Sequence, residues 1–159
     1  MVSAKPPPVT LPNRRRALRS GLAGGLALLG AQARACEFFT GTLRVFHPWA
    51  RATLDDETTA MVFMKFDEVR EDDRLVGVRT MLSTGAEIAG QGVKSPGGVV
   101  DLPIPRGRTT ELSENGVYLR LLDLQWQLQV LRAYPLDLVF EKGGTVKATL
   151  SIDFPRSAS

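Results

Sequence analysis

The stretch Leu136-Asp137-Leu138-Val139-Phe140-Glu141-Lys142-Gly143-Gly144-Thr145-Val146-Lys147-Ala148-Thr149-Leu150-Ser151-Ile152-Asp153-Phe154 decides the fold. Leu136, Leu138 and Phe140 alternate with Asp137, Val139 and Glu141. After the Lys142-Gly143-Gly144 turn, Val146, Ala148, Leu150, Ile152 and Phe154 alternate with Lys147, Thr149, Ser151 and Asp153. Successive strand side chains point to opposite faces, so this period of two predicts two strands, each with one buried and one wet face. Sandwich strands need that arrangement.

Upstream segments repeat the signal. In Val117–Leu124, Leu119 and Leu121 share one face while Tyr118 and Arg120 share the other. Ala60 to Phe66 is apolar on both faces, as in a central strand. Further short strands are expected at Thr42–Phe46 (stopped by Pro48), Leu75–Val78, Val99–Ile104 and Thr109–Leu112, the last followed by a Ser113-Glu114-Asn115-Gly116 turn. From residue 36 onward no helical period is sustained, although Gln125–Arg132 would support one short turn. Short strands separated by Gly, Pro and Asp turns indicate an all-β sandwich or barrel.

The charges are divided along the chain. Lys5, Arg14, Arg15, Arg16, Arg19 and Arg34 precede Cys36, and no acidic residue does. Residues 36–159 then hold 14 basic and 17 acidic side chains, a net charge of −3. The apparent basicity belongs to the N-terminus, and a nucleic-acid partner loses its support. Asn13-Arg14-Arg15-Arg16-Ala17-Leu18-Arg19 followed by the weakly apolar Gly21–Gly30 reads as an export signal over residues 1–35. Its paired arginines resemble the twin-arginine motif, with Ala17 at the usual phenylalanine position. The apolar run falls short of the ~20 residues a membrane span requires, so no permanent span is expected. Cleavage after Ala33 or Ala35 would leave a single domain over residues 36–159 and a periplasmic protein. Cys36 also raises a lipoprotein alternative, opposed by Ala33 and Arg34 where a lipobox wants Leu and a small residue. As the only cysteine, it forms no internal disulfide.

His47-Pro48-Trp49-Ala50-Arg51-Ala52-Thr53, Asp73-Arg74-Leu75-Val76-Gly77, Glu87-Ile88, Leu102-Pro103-Ile104-Pro105, Gly116–Leu124 and Leu138–Gly144 follow one another in an order that resembles the PCu(A)C family of periplasmic copper chaperones. The resemblance spans about Leu43 to Phe154 and implies a cupredoxin-like Greek-key β-sandwich or barrel. It also implies copper(I), held in that family by two histidines and two methionines, which are soft donors suited to the reduced ion. Here Ala89 stands at the first histidine position, and Gly90–Gly98 replaces the methionine loop without a methionine. Tyr118 and Arg120 stand at the second histidine and methionine positions. An arginine stays protonated and repels a cation, so no metal ligand carries over and copper(I) enters by family resemblance alone. A partner in copper delivery or oxidase assembly is implied in the same way. Tyr118 and Arg120 become candidates for partner contact, both residue types being favoured at interfaces; a solvated cation–π pair is the plainer reading.

Substitute ligands are scarce. His47 is the only histidine and is expected to bond locally beside the Trp49 indole. Met61 and Met64, three apart in a strand, point to opposite faces, and Met81 lies in a loop. Catalysis finds no footing either. No Gly-x-Ser-x-Gly elbow accompanies His47, and Asp55-Asp56-Glu57 and Glu71-Asp72-Asp73 lack the alternating oxygen ligands of a calcium loop. The glycine-rich Gly90–Gly98 lacks a strand–loop–helix context for phosphate. The sequence therefore suggests a non-enzymatic copper-chaperone-like protein without the usual copper site, the alternative being a metal-free periplasmic binding or docking module.

Overall fold

The structure, a computed structural model, describes residues 36–93 and 96–155 together with the isolated positions Ala4 and Pro8. The expected export signal and both cleavage positions lie outside the described residues, as do Lys94 and Ser95 of the glycine-rich loop.

Ten strands make up the all-β fold of the described chain: β1 (Glu37–Phe39), β2 (Arg44–Arg51), β3 (Ala60–Asp67), β4 (Asp73–Arg79), β5 (Ser83–Gly90), β6 (Leu102–Ile104), β7 (Thr110–Leu112), β8 (Val117–Leu124), β9 (Ala133–Phe140) and β10 (Gly144–Asp153). They form one curled sheet in the order β5-β8-β3-β2-β10-β9-β4-β6, with β1 beside β2 and β7 beside β3. Every pairing is antiparallel except that of β2 with β10. The two ends of the sheet approach each other where Ile88 N–H donates to the Val99 carbonyl at 3.0 Å. The result is a nearly closed all-β barrel, as the alternating pattern predicts, of the cupredoxin-like kind that the family resemblance implies.

The core lies inside this curl. Val62, Met64 and Phe66 of β3 meet Leu119 and Leu121 of β8, Leu136, Leu138 and Phe140 of β9, and Val146, Ala148, Leu150 and Ile152 of β10. Phe66 and Phe140 pack edge to face, with centroids 5.8 Å apart. Leu82 and Leu128 plug one end from its loops. The strand faces follow the sequence pattern, since Leu119 and Leu121 are fully buried while Tyr118 and Arg120 remain half-exposed on the outside.

Four local expectations change. Phe154, expected in the buried row of the last strand, lies beyond β10 and is exposed. β2 does not stop at Pro48 but continues to Arg51, because His47 and Pro48 together stand opposite the single Met64. This bulge absorbs the missing proline donor, and His47 takes a left-handed φ of 49° within it. β6 is shorter than Val99–Ile104 and begins at Leu102, since Val99 is drawn across to β5. Gln125–Arg132 forms turns rather than a helical turn.

Gly90 ends β5 with φ at 111°, and a Cβ there would lie 2.1 Å from the Gly116 carbonyl oxygen. Gly90→Ala is expected to cost about 2 kcal/mol through the combined clash and backbone strain. A lowered urea midpoint at unchanged slope is the expected readout. A midpoint equal to that of the parent would show that β5 and the turn before β8 do not approach this closely.

Candidate functional site

The outer face of β5, β8, β3 and β2 carries the residues that the sequence singles out. Cross-strand partners share a face, and the register sets Ala89 beside Tyr118, Glu87 beside Arg120, and Arg120 beside Met61. Phe63 and Trp49 are partners on the neighbouring strands, with ring centroids 4.7 Å apart. Arg51 follows Trp49 on the same side of β2. A recess of about 340 Å³ opens between them, lined by Arg51, Thr53, Met61, Phe63, Tyr118 and Arg120 among others.

Each guanidinium here has an acidic partner and an aromatic one. Arg120 Nε lies 3.0 Å from Glu87 Oε1, and its guanidinium carbon is 5.7 Å from the Tyr118 ring centroid. Glu87 Oε2 accepts the Gly98 N–H at 2.7 Å, so the carboxylate ties the glycine-rich loop to the strand pair. The Arg120 N–H is not aimed well enough at Glu87 for a hydrogen bond, and the buried Nε has charge compensation alone. Arg51 donates through Nε to Glu114 at 2.7 Å and lies 5.5 Å from the Trp49 centroid. Half-exposed pairs of this kind contribute little to stability, so they matter here for the charge they fix in the recess.

Ala89, Tyr118 and Arg120, the three strand positions at which the sequence comparison expects metal donors, thus lie together on one face. Glu87 joins them, although the sequence reading left it aside. Its position two before Ala89 on an alternating strand was the available signal. Met61 lines the recess while Met64 is buried in the core, so the two thioethers do point apart. His47 lies outside the recess on the bulge, with its ring 6.2 Å from that of Phe46 and its backbone N–H donating to the Cys36 carbonyl at 2.6 Å. Met81 is exposed in the β4–β5 turn.

Neither acidic cluster forms a cation site. Glu57 Oε2 caps its own turn by accepting the Leu54 N–H at 2.7 Å. Asp73 is buried and accepts from the Thr42 hydroxyl at 2.6 Å and from the backbone N–H groups of Arg74, Lys142 and Gly143 at 2.8 to 2.9 Å. Burial opposes its ionisation, but the four donors outweigh that cost and hold the carboxyl below its ordinary value. Among the described residues no group of three or more His, Cys, Asp or Glu side chains could hold a metal ion.

Comparison with known proteins places the chain in context. The lipoprotein family described as LpqE-like matches residues 43–152. The apo PCuAC domain from PmoF1 is 32% identical with a TM-score of 0.67, covering 75% of this chain and 99% of that domain. The copper-bound PCuAC domain from PmoF2 is 26% identical with a TM-score of 0.68, covering 75% and 98%. The copper(I) form of DR1885 from Deinococcus radiodurans shares the fold at 21% identity and a TM-score of 0.58, covering 67% of this chain and 74% of that one. No curated protein matches the chain by sequence.

Proposed function

The chain belongs to the LpqE-like family and carries the PCuAC fold, and from that premise we propose that it is an exported copper-chaperone-like protein whose own recess does not retain copper(I). Residues 1–35 serve as the export signal, and the remainder acts as one periplasmic domain that binds rather than catalyses. The lipoprotein description of the family keeps Cys36 as an alternative point of attachment.

One observation carries the reading: the row Glu87–Arg120–Met61 across three adjacent strands. Copper(I) favours thioether and imidazole donors, and this row offers one thioether beside an arginine that remains protonated at any physiological pH. A second guanidinium, that of Arg51, lines the same recess. The protein's own cations are therefore held where a bound cation would have to sit. What remains is a surface rich in aromatic and arginine side chains, with Tyr118 and Arg120 at its centre. Such surfaces suit protein contact. The partner on this reading is a protein of copper delivery or cytochrome oxidase assembly, as the family resemblance implies. The second reading, a metal-free periplasmic binding or docking module, rests on the same recess without the copper pathway.

The test is a copper(I) competition under reducing conditions. The unmodified protein is expected to leave the ion with a copper(I) chelator, and Arg120→Glu is expected to weaken capture of a copper-pathway partner about tenfold. Stoichiometric withdrawal of copper(I) from the chelator would make the protein a direct carrier and overturn the proposal.

A further inference from the structure

We propose that the end of the barrel bearing Trp126 and Leu131 is an interface between two copies of this chain. This surface borders the recess at Thr53 and Glu57, but the inference does not depend on the copper reading. Five large apolar side chains at this end are exposed: Leu54 at 60%, Met81 at 65%, Trp126 at 63%, Leu131 at 85% and Phe154 at 62%. They come from three connections and the segment that follows β10, which hydrogen bonds draw together at this end. Gln125 N–H donates to the Leu82 carbonyl, Gln127 Nε2 to the Asp55 carbonyl, and Leu131 N–H to the Ile152 carbonyl. Isolated exposed apolar residues need no explanation, whereas several gathered at one end of a small barrel point to a contact surface.

Two features identify a second copy as the occupant. The first is charge. Arg79 and Arg132 flank the patch on the Met81 side, and Asp55 and Asp56 flank it on the Leu54 side, all four exposed. Among the described residues none of them forms an ion pair. A two-fold axis through the Trp126 loop lays the basic flank of one copy on the acidic flank of the other, the self-complementarity that an isologous interface requires. An anionic lipid surface would meet the two aspartates unfavourably.

The second feature is shape. Leu131, the most exposed of the five, is held at a left-handed φ of 61°. A leucine adopts that conformation at a cost, so the backbone spends conformational energy to project an apolar knob into water. A groove of about 230 Å³ lies at the same end, with Met81, Leu82, Trp126 and Tyr134 among its walls. Across the two-fold axis, the Leu131 of each copy enters the groove of the other.

Sedimentation equilibrium of the purified protein from micromolar to millimolar concentration is expected to show a reversible dimer that weakens as salt is raised. Trp126→Ser should weaken it by roughly tenfold or more, the scale of a central aromatic anchor. Leu131→Gly should abolish it without lowering Tm, because glycine accepts the left-handed backbone; loss of the knob is thereby separated from loss of fold. The variants D55K/D56K and R79E/R132E should each be monomeric alone and should associate when mixed. The proposal fails if the unmodified protein stays monomeric throughout, if Leu131→Gly still dimerises, or if the two charge variants do not recognise each other. It fails equally if the monomer floats with phosphatidylglycerol vesicles through Trp126, since the patch would then be a membrane contact.

Discussion

The double variant Tyr118→His/Arg120→Met is expected to hold copper(I) against a competing chelator about 100-fold or more tightly than the unmodified protein does. Met61 and Arg120 are register partners, which places their Cβ atoms about 5 Å apart. Positions 118 and 120 share one strand face about 7 Å apart. The introduced imidazole and thioether would therefore converge with the Met61 sulfur on one point above β8 and β3. Two thioethers and one imidazole form a donor set of the soft type that copper(I) selects. The same change removes the guanidinium beside that point and leaves Glu87 uncompensated, so repulsion of a cation turns into attraction. Even outer-shell partners of a metal ion are worth 10- to 100-fold in affinity, and the gain from two new direct ligands should be at least of that order. The readout is chelator competition, with urea unfolding run in parallel to show that the variant is folded. If the folded variant gains nothing, the recess does not gather these positions as the register implies. If the parent already matches the variant, its recess is competent for copper(I) and the proposed loss of the site is wrong.

The two halves of this site differ in how far the sequence reveals them. Tyr118 and Arg120 were legible because alternation is a local signal: Leu119 and Leu121 point inward, so their neighbours point outward. Glu87 was not legible as their partner. The pairing of Glu87 with Arg120 depends on the β5–β8 register, which a sequence separation of over thirty residues conceals. The same distinction runs through the fold. The β9–β10 hairpin could be read from its own residues, since Leu138 and Val146 face each other across a short Lys-Gly-Gly turn. The passage of β2 through Pro48 could not. There the lost donor is tolerated because the partner strand leaves Met64 alone opposite two residues, a fact that resides on β3. The apolar end is the extreme case, because Leu54, Met81, Trp126, Leu131 and Phe154 come to one end only after three separate connections and the segment following β10 have folded.

Asp73→Ala is expected to destabilise the protein by about 4 kcal/mol, near the upper limit for a single substitution. The carboxylate collects four donors from three separate parts of the chain: the Thr42 hydroxyl before β2, the Arg74 N–H on β4, and the Lys142 and Gly143 N–H groups in the β9–β10 turn. Removing the acceptor leaves those donors unsatisfied beside a small void, at about 1–3 kcal/mol for each one that water cannot reach. Gly143 shows how tightly the turn is docked, since a Cβ there would lie 2.7 Å from the Thr42 hydroxyl oxygen. The pH dependence follows from the direction of the shift. A carboxyl held below its ordinary value when folded contributes stability that is fully present above its unfolded pKa of about 3.9 and is lost as pH falls through the folded value. Asp67, held low chiefly by its hydrogen bond from Arg44, adds to the same trend. Stability of the unmodified protein should therefore be level from neutral pH down to about pH 5 and fall steeply below about pH 4. Asp73→Asn keeps the shape but cannot ionise, so it should be less stable at neutral pH and should lose less on acidification. Parallel urea midpoints for parent and Asp73→Asn across that acid range would show that the four donors do not recognise the charge, and the assignment of Asp73 as the pin of the hairpin turn would fall.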